Sequence, residues 1–400
     1  MRRIISNREV VLGVTGSIAA YKACEIASRL VELGVSVLPV LTRSAQELIR
    51  AASLEAITGQ RAIVEMFAPF QNPDVEHIAV ANRAALFLIA PATANVLAKA
   101  AQGVADDWLT TTLLATRAPI LFAPAMNTDM YNHPVTQGNI EMLRARGCHF
   151  VGPGAGRLAC GSVGVGRMID PITVVEAALP LIASNRDLAG KRVLITSGGN
   201  REPIDPVRFI GNRSSGKMGR AIALEALVRG ATVTVVNGPA ETPMPYGAEV
   251  IPVETAAQMA EAVMTRAPDA DIIIGAAAVA DYRVETPAPK KLKVMGRPLV
   301  LTLLENPDIL AQVGAGKRQG QVVVGFAAET EDLVENAAAK LKKKRLDLIV
   351  ANQVGAADSG FGTETVKAAF ITRNGDIEQL PLLTKEELAE RLIDRIVALH

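Results

Sequence analysis

Two stretches of this chain open in the same way. Val10 to Gly34 reads VVLGVTGSIAAYKACEIASRLVELG, and Arg192 to Gly230 runs from RVLITSGG to SSGKMGRAIALEALVRG. Each sets a short apolar run before glycines and then places apolar residues at helical period, the pattern of a parallel strand, a tight turn and a helix. Such a turn presents backbone N–H groups at a helix N-terminus to an anion, most often a phosphate. The repetition divides the chain into two α/β modules. Glycine turns of this kind also occur in α/β proteins that bind nothing there, so the chemistry has to be found in other residues.

Apolar runs at Val10 to Val14, Val35 to Leu41, Leu86 to Ala90 and Ile120 to Ala123 alternate with helical patterns at Ala19 to Leu33 and Pro134 to Arg146. The alternation predicts βαβ units and a parallel sheet. Gly152 to Gly166, GPGAGRLACGSVGVG, is so dense in glycine that it reads as a mobile loop or flap, and a helix near Pro171 to Ala183 closes the module. The polar stretch Ser184 to Lys191 marks the boundary, giving domains at 1–187 and 188–400. In the second, strands are expected at Val193 to Thr196, Thr232 to Val236, Ile272 to Gly275, Val322 to Phe326 and Leu348 to Val350. Thr384 and Glu387 form a capping box before a final amphipathic helix. At 400 residues and 49% hydrophobic content the chain can bury two ordinary cores.

Charge and cysteine usage narrow the function. Lys+Arg 42 against Asp+Glu 41 leaves a net charge of +1, without the basic footprint of a nucleic-acid binder. Cys24, Cys148 and Cys160 are odd in number and lack metal-ligand spacing, which argues against a disulfide framework and a zinc site. The apolar run after Met-Arg-Arg is broken by Gly13, Thr15, Gly16 and Ser17, unlike a signal peptide. No stretch reaches the roughly 18 uninterrupted apolar residues of a membrane span. A cytoplasmic protein with no membrane or nucleic-acid partner is expected.

Three residues of the first module could do chemistry. His77 precedes the strand Leu86 to Ala90, and Asn127 follows the strand Ile120 to Ala123 at the carboxyl edge of the sheet, where ligands of open α/β folds bind. Cys160 lies in the glycine-rich segment, where a thiol can close over a substrate and deliver a proton. In order, GVTGSIAAYK (Gly13 to Lys22), His77, APATAN (Ala90 to Asn95), PAMN (Pro124 to Asn127) and ACGSVGVGRM (Ala159 to Met168) resemble the flavin-containing cysteine decarboxylases, the phosphopantothenoylcysteine decarboxylases in particular. The resemblance spans residues 10 to about 180 and implies a flavodoxin-like, doubly wound domain. It implies FMN with its phosphate at Gly16 and Ser17, and Thr42, Ser44, Thr93, Ala94 and Asn95 as further contacts. It makes His77 the base, Asn127 the group orienting the substrate carboxylate and Cys160 the final proton donor. Asp107 and Trp108 depart from the Asn and Leu usual in such proteins, so the single tryptophan is expected near the flavin.

In the second module GNRSSGKM (Gly211 to Met218) imitates a P-loop but has Met where magnesium needs a Ser or Thr hydroxyl, and its strand ends too far upstream. No G-x-G-x-x-G marks a dehydrogenase. Lys340 and Lys344 are four apart in KLKKKR and share a helix face that could clamp a polyphosphate, although such a run alone also reads as a solvated face. SGGNREPIDPVRFIGNRSSGKMG (Ser197 to Gly219), AAAVADYR from Ala276, KKLK from Lys290, NPDIL from Asn306 and GFAAET from Gly325 resemble the phosphopantothenate-cysteine ligases over nearly the whole half. That resemblance implies a Rossmann-like domain using CTP with Mg2+. The nucleotide site would be Gly275, Ala276, Ala277, Asp281, Lys291, Asn306, Pro307, Asp308, Ile309, Phe326, Lys340 and Lys344. Lys291 and Asn212 would act in catalysis, and Arg208 with Asn212 would bind substrate. Asn200 replaces a usual Thr.

Together the two resemblances imply a bifunctional enzyme of coenzyme A biosynthesis acting on 4'-phosphopantothenate, cysteine and CTP. They also imply a homo-oligomer in which decarboxylase trimers combine with ligase dimers. The metal ligands cannot be read from the residues. A regulatory decarboxylase-like flavoprotein, and an electron carrier fused to a dehydrogenase, are the competing readings. Neither gives work to both Cys160 and the lysine pair.

Overall fold

The computed structural model describes residues 1–66, 76–159, 161–293, 296, 298–329, 333–353 and 363–399. Apart from Met1, the chain divides into two compact units, Arg2–Asn185 and Arg186–His400.

The first unit is built on a parallel sheet of β1 (Glu9–Val14), β2 (Ser36–Leu41), β3 (Leu86–Ala92), β4 (Ile120–Pro124) and β5 (His149–Phe150), in the order β2-β1-β3-β4-β5. This is the flavodoxin-like order, reversing between β1 and β3. Every residue of β3, and every residue of β1 after Glu9, is buried, as expected of strands covered by helices on both faces. In the helix Lys22–Glu32 the buried Ala23, Ile26, Ala27 and Leu30 form one stripe at helical spacing. Gly13 lets a second helix close on the sheet, because a Cβ there would lie 2.7 Å from Ile89 and 2.9 Å from Leu109.

The glycine-rich segment departs from the expected loop. β6 (Gly154–Arg157) and β7 (Val163–Arg167) pair as an antiparallel hairpin. Its glycines serve close approach: a Cβ on Gly164 would strike the Thr128 side chain, one on Gly166 would strike the Met126 carbonyl, and Met126 N donates to Gly166 O at 2.9 Å.

The second unit holds β8 (Arg192–Ser197), the short pair β9 (Glu202–Pro203) and β10 (Phe209–Ile210), then β11 (Thr232–Asn237), β12 (Glu249–Pro252) and β13 (Ile272–Gly275). An antiparallel pair follows, β14 (Tyr282–Val284) with β15 (Leu303–Glu305), before β16 (Val322–Glu329), β17 (Leu348–Gln353), β18 (Thr365–Val366), β19 (Ala368–Thr372) and β20 (Ile377–Gln379). The main sheet runs β12-β11-β8-β13-β16-β17-β19-β20. Its first six strands are parallel and, numbered along the chain, give the Rossmann order 3-2-1-4-5-6, with the reversal between β8 and β13. β19 and β20 extend it antiparallel.

Both faces of this sheet are covered. Ile222 and Ala226 of the helix Lys217–Val228 pack on one face with Leu388, Leu392 and Ile396 of the helix Lys385–Val397. Met259, Val263, Val313 and Leu341 from three further helices pack on the other. Each of the larger of these side chains contributes about 1.5–3 kcal/mol by leaving water. The last helix carries the expected capping box, Thr384 with Glu387. Among the described residues no helix is long and apolar enough to cross a membrane.

Candidate functional site

In the first unit the carboxyl ends of β1, β2 and β3 each lead into a helical turn whose capping residue is one of the expected flavin contacts. Ser17 accepts from Ala19 N before the turn Ile18–Tyr21, Thr42 from Ala45 N at 3.3 Å, and Thr93 from Val96 N at 3.3 Å. Each hydroxyl satisfies one of the first-turn N–H groups that a helix start leaves without an intrahelical partner. Thr15 ties the switch point together: its hydroxyl donates to Pro91 O at 2.7 Å and accepts from Thr93 N at 3.1 Å. Gly16 lies against Ser44, so close that a Cβ there would be 2.5 Å from the serine Cβ.

A cleft of about 600 Å³ opens at this point. Gly16, Ser17, Thr93, Ala94 and Asn127 line it, facing Met126, Met130, Arg157, Leu158 and Met168. Small polar groups at one end and apolar side chains along the wall fit a phosphate joined to a planar ring. Asn127 caps the helix Thr128–Asn132, accepting from Asp129 N at 2.8 Å. Thr42, Ser44 and Asn95 are not among the residues that line the cleft. His77 is half-buried in the first turn of the helix Glu76–Arg83, also away from the lining. Cys160 lies outside the described residues.

Lys22 was not singled out as a site residue. It lines the cleft and its Nζ donates to Met168 O at 3.0 Å, holding the chain that leaves the hairpin. Burial and the neighbouring Arg167 lower its pKa, against Asp170 3.6 Å away. The Trp108 side chain is 3% exposed and belongs to the core cluster that holds Val11, Phe87 and Leu97; it does not line the cleft. Asp107 caps the helix Trp108–Ala115.

The second unit has its own cleft, about 580 Å³, at the β8–β13 switch point. Gly275, Ala277, Asp281, Asn306, Pro307, Asp308, Ile309, Phe326, Lys340 and Lys344 all line it, as does Asn212. Lys344 Nζ lies 3.0 Å from Asp308 Oδ1, and Asp308 also caps the helix Ile309–Ala315 by accepting from Ala311 N at 3.1 Å. Asn212 Nδ2 donates to Val279 O at 3.0 Å and Asn306 Nδ2 to Ala280 O at 2.9 Å, so both amides fix the AAAVA wall. The buried Asn200 does likewise: its Oδ1 accepts from Ala280 N at 2.6 Å and its Nδ2 donates to Glu202. Thr196, Tyr282 and Glu305 also line the cleft without having been singled out. The signal for Thr196 was its place at the carboxyl end of a strand beside the switch point.

Ala276 faces a smaller neighbouring pocket with Ser214, Ser215, Gly216, Lys217 and Lys385. Gly216, at φ +77°, caps the helix Lys217–Val228, and Lys217 pairs with Glu364. The β9–β10 pair separates this turn from β8, unlike a P-loop. Lys291 is exposed on the strap between β14 and β15 and does not line the cleft. Arg208 is held by Asp205, with Nη2 to Oδ2 at 2.6 Å. Burial alone would raise the Asp205 carboxyl, but the N–H groups of Leu292 and Val207 and the Arg208 side chain hold it well below the usual carboxylate range. Among the described residues no three His, Cys, Asp or Glu side chains gather as a metal site.

Comparison with known proteins matches both units. A family model described as Flavoprotein matches residues 2–182, and one described as the DNA/pantothenate metabolism flavoprotein C-terminal domain matches residues 188–399. The coenzyme A biosynthesis bifunctional protein CoaBC of Bacillus subtilis (strain 168) is 44% identical over 400 residues, covering 99% of this chain and 98% of its own length. Its counterpart from Escherichia coli (strain K12) is 43% identical, covering 98% of this chain and 97% of its own. That of Mycobacterium bovis is 43% identical, covering 98% and 96%.

Proposed function

The chain belongs to the family of bifunctional coenzyme A biosynthesis proteins, and from that membership we propose that its two units catalyse consecutive steps on one phosphorylated substrate. The second unit joins cysteine to 4'-phosphopantothenate through an acyl-cytidylate made from CTP. The first converts the product, 4'-phosphopantothenoylcysteine, to 4'-phosphopantetheine with FMN. The observation that carries this reading is the second cleft, where Asn212, the NPDI turn, Phe326 and two lysines meet at one switch point.

In ligation the substrate carboxylate attacks the α-phosphorus of CTP and the bond to pyrophosphate breaks. Lys340 and Lys344 neutralise the charge on the departing phosphates, and Asp308 keeps Lys344 beside the cleft. Magnesium would accompany the nucleotide and offset the charge of its phosphates; Asp281, Glu305 and Asp308 are the carboxylates that line the cleft. Asn212 holds the acyl intermediate while the cysteine amine attacks and CMP leaves. Lys291 supplies charge from the strap.

In decarboxylation Gly16 and Ser17 would take the FMN phosphate, with Thr42, Ser44, Thr93, Ala94 and Asn95 around it. Bound there, FMN would supply reversible two-electron oxidation at the carbon beside the substrate sulfur, the chemistry that lets carbon dioxide leave. Asn127 orients the carboxylate, His77 serves as base and Cys160 returns the last proton. The protein is expected to work in the cytoplasm as a homo-oligomer of decarboxylase trimers and ligase dimers.

Cys160→Ser tests the first unit. The variant should accumulate a decarboxylated, still oxidised or ene-thiol product, seen by mass, while CTP-dependent pyrophosphate release stays at the wild-type rate. Unchanged 4'-phosphopantetheine output would remove Cys160 from the mechanism.

A further inference from the structure

One buried carboxylate joins two segments of the second unit that the core does not hold. The Asp205 side chain is fully enclosed. Its Oδ1 accepts from Val207 N at 2.8 Å and Arg208 N at 2.9 Å, closing a local turn. Its Oδ2 accepts from Leu292 N at 3.0 Å and from Arg208 Nε and Nη2 at 3.0 and 2.6 Å. Arg208 Nη2 also donates to Leu292 O at 2.5 Å. Both backbone polar groups of Leu292 are therefore held, and Ala288 N to Ile204 O at 2.9 Å adds a parallel tie.

The two joined segments each carry a residue of the ligase reaction. Leu292 follows Lys291 on the strap between β14 and β15, while Arg208 precedes Asn212, which is bonded to the cleft wall at Val279. We propose that Asp205 is a positioning residue for ligation, fixing the strap that bears Lys291 against the loop that bears Asn212. The proposal rests on the reading of Lys291 and Asn212 given above. Asp205 itself does not line the cleft. A long lysine side chain delivers charge to a transition state only if its backbone is already placed, since ordering the strap during the reaction would add to the barrier. Charge-assisted bonds to Arg208 and Leu292 supply that order before substrate binds.

Asp205→Asn isolates the effect. An amide can keep its oxygen on the Val207 and Arg208 N–H groups, but its NH2 then faces the Leu292 N–H and the guanidinium, donor against donor. In the full-length enzyme with CTP, 4'-phosphopantothenate and cysteine, D205N should lower kcat for pyrophosphate release about 10- to 100-fold. In a Lys291→Ala background the same change should alter kcat less than about twofold, because both lose one function. Amide exchange over residues 285–293 should quicken in D205N while the helix Lys217–Val228 keeps its protection. Arg208→Lys, which leaves the carboxylate in place, should quicken the same amides if D205N proves too unstable to purify.

Multiplicative effects of D205N and K291A, or strap exchange unchanged in both Asp205 and Arg208 variants, would overturn the positioning role while leaving the ligase reading intact. Wild-type kcat in K291A alone would instead overturn the assignment of Lys291, and this proposal with it.

Discussion

Gly16 shows how much the first unit's cleft depends on an absent atom. A Cβ there would sit 2.5 Å from the Ser44 Cβ, at the polar end of the cleft. Gly16→Ala is therefore expected to weaken FMN binding at least about tenfold, a loss of about 1.4 kcal/mol. The protein should purify with little yellow colour while releasing pyrophosphate from CTP at the wild-type rate. Full flavin occupancy in that variant would contradict the cradle. Residues such as Gly16, Ser17, Thr93 and Asn127 were legible because each stands just past a strand, where a cap or a glycine has both a local and a ligand-facing reason to exist. Lys22 and Arg157 were not, since one reaches the cleft from the second half of a helix-opening motif and the other through a hairpin whose pairing no local pattern announces. Trp108, an unusual residue in its motif, fills the core.

The central strands were easy to read because burial on both faces leaves uninterrupted apolar runs, as in β3 and β13. Weaker elements escaped. β20 is exposed along its whole length and gains its place only by pairing with β19, which itself runs antiparallel to β17. The β6–β7 hairpin was hidden by glycines that looked like loop composition but allow contact with the PAMN segment. Helix ends were more legible, as Thr384 illustrates: its hydroxyl accepts from Glu387 N at 3.2 Å and Glu387 Oε2 accepts from Thr384 N at 2.8 Å. Thr384→Ala should cost about 1 kcal/mol of stability. A denaturant titration should show the lowered midpoint with flavin content unchanged, and an unshifted midpoint would mean that the cap adds nothing to the helix Lys385–Val397.

At the scale of the molecule, two doubly wound units repeat one arrangement, and each has its cleft where the strand order reverses. The two similar openings in the sequence lead to different sites. In the first unit the turn after β1 itself lines the cleft, whereas in the second most of the lining comes from β13 onward and SSGKMG faces a smaller neighbouring pocket. The central claim is that one chain carries out both ligation and decarboxylation. Its most direct test supplies the purified protein with 4'-phosphopantothenate, cysteine, CTP and magnesium, and follows pyrophosphate, carbon dioxide and product mass together. The account predicts 4'-phosphopantetheine with pyrophosphate and carbon dioxide released in equal amounts; a yellow protein that consumes CTP without carbon dioxide, or yields neither product, would contradict it.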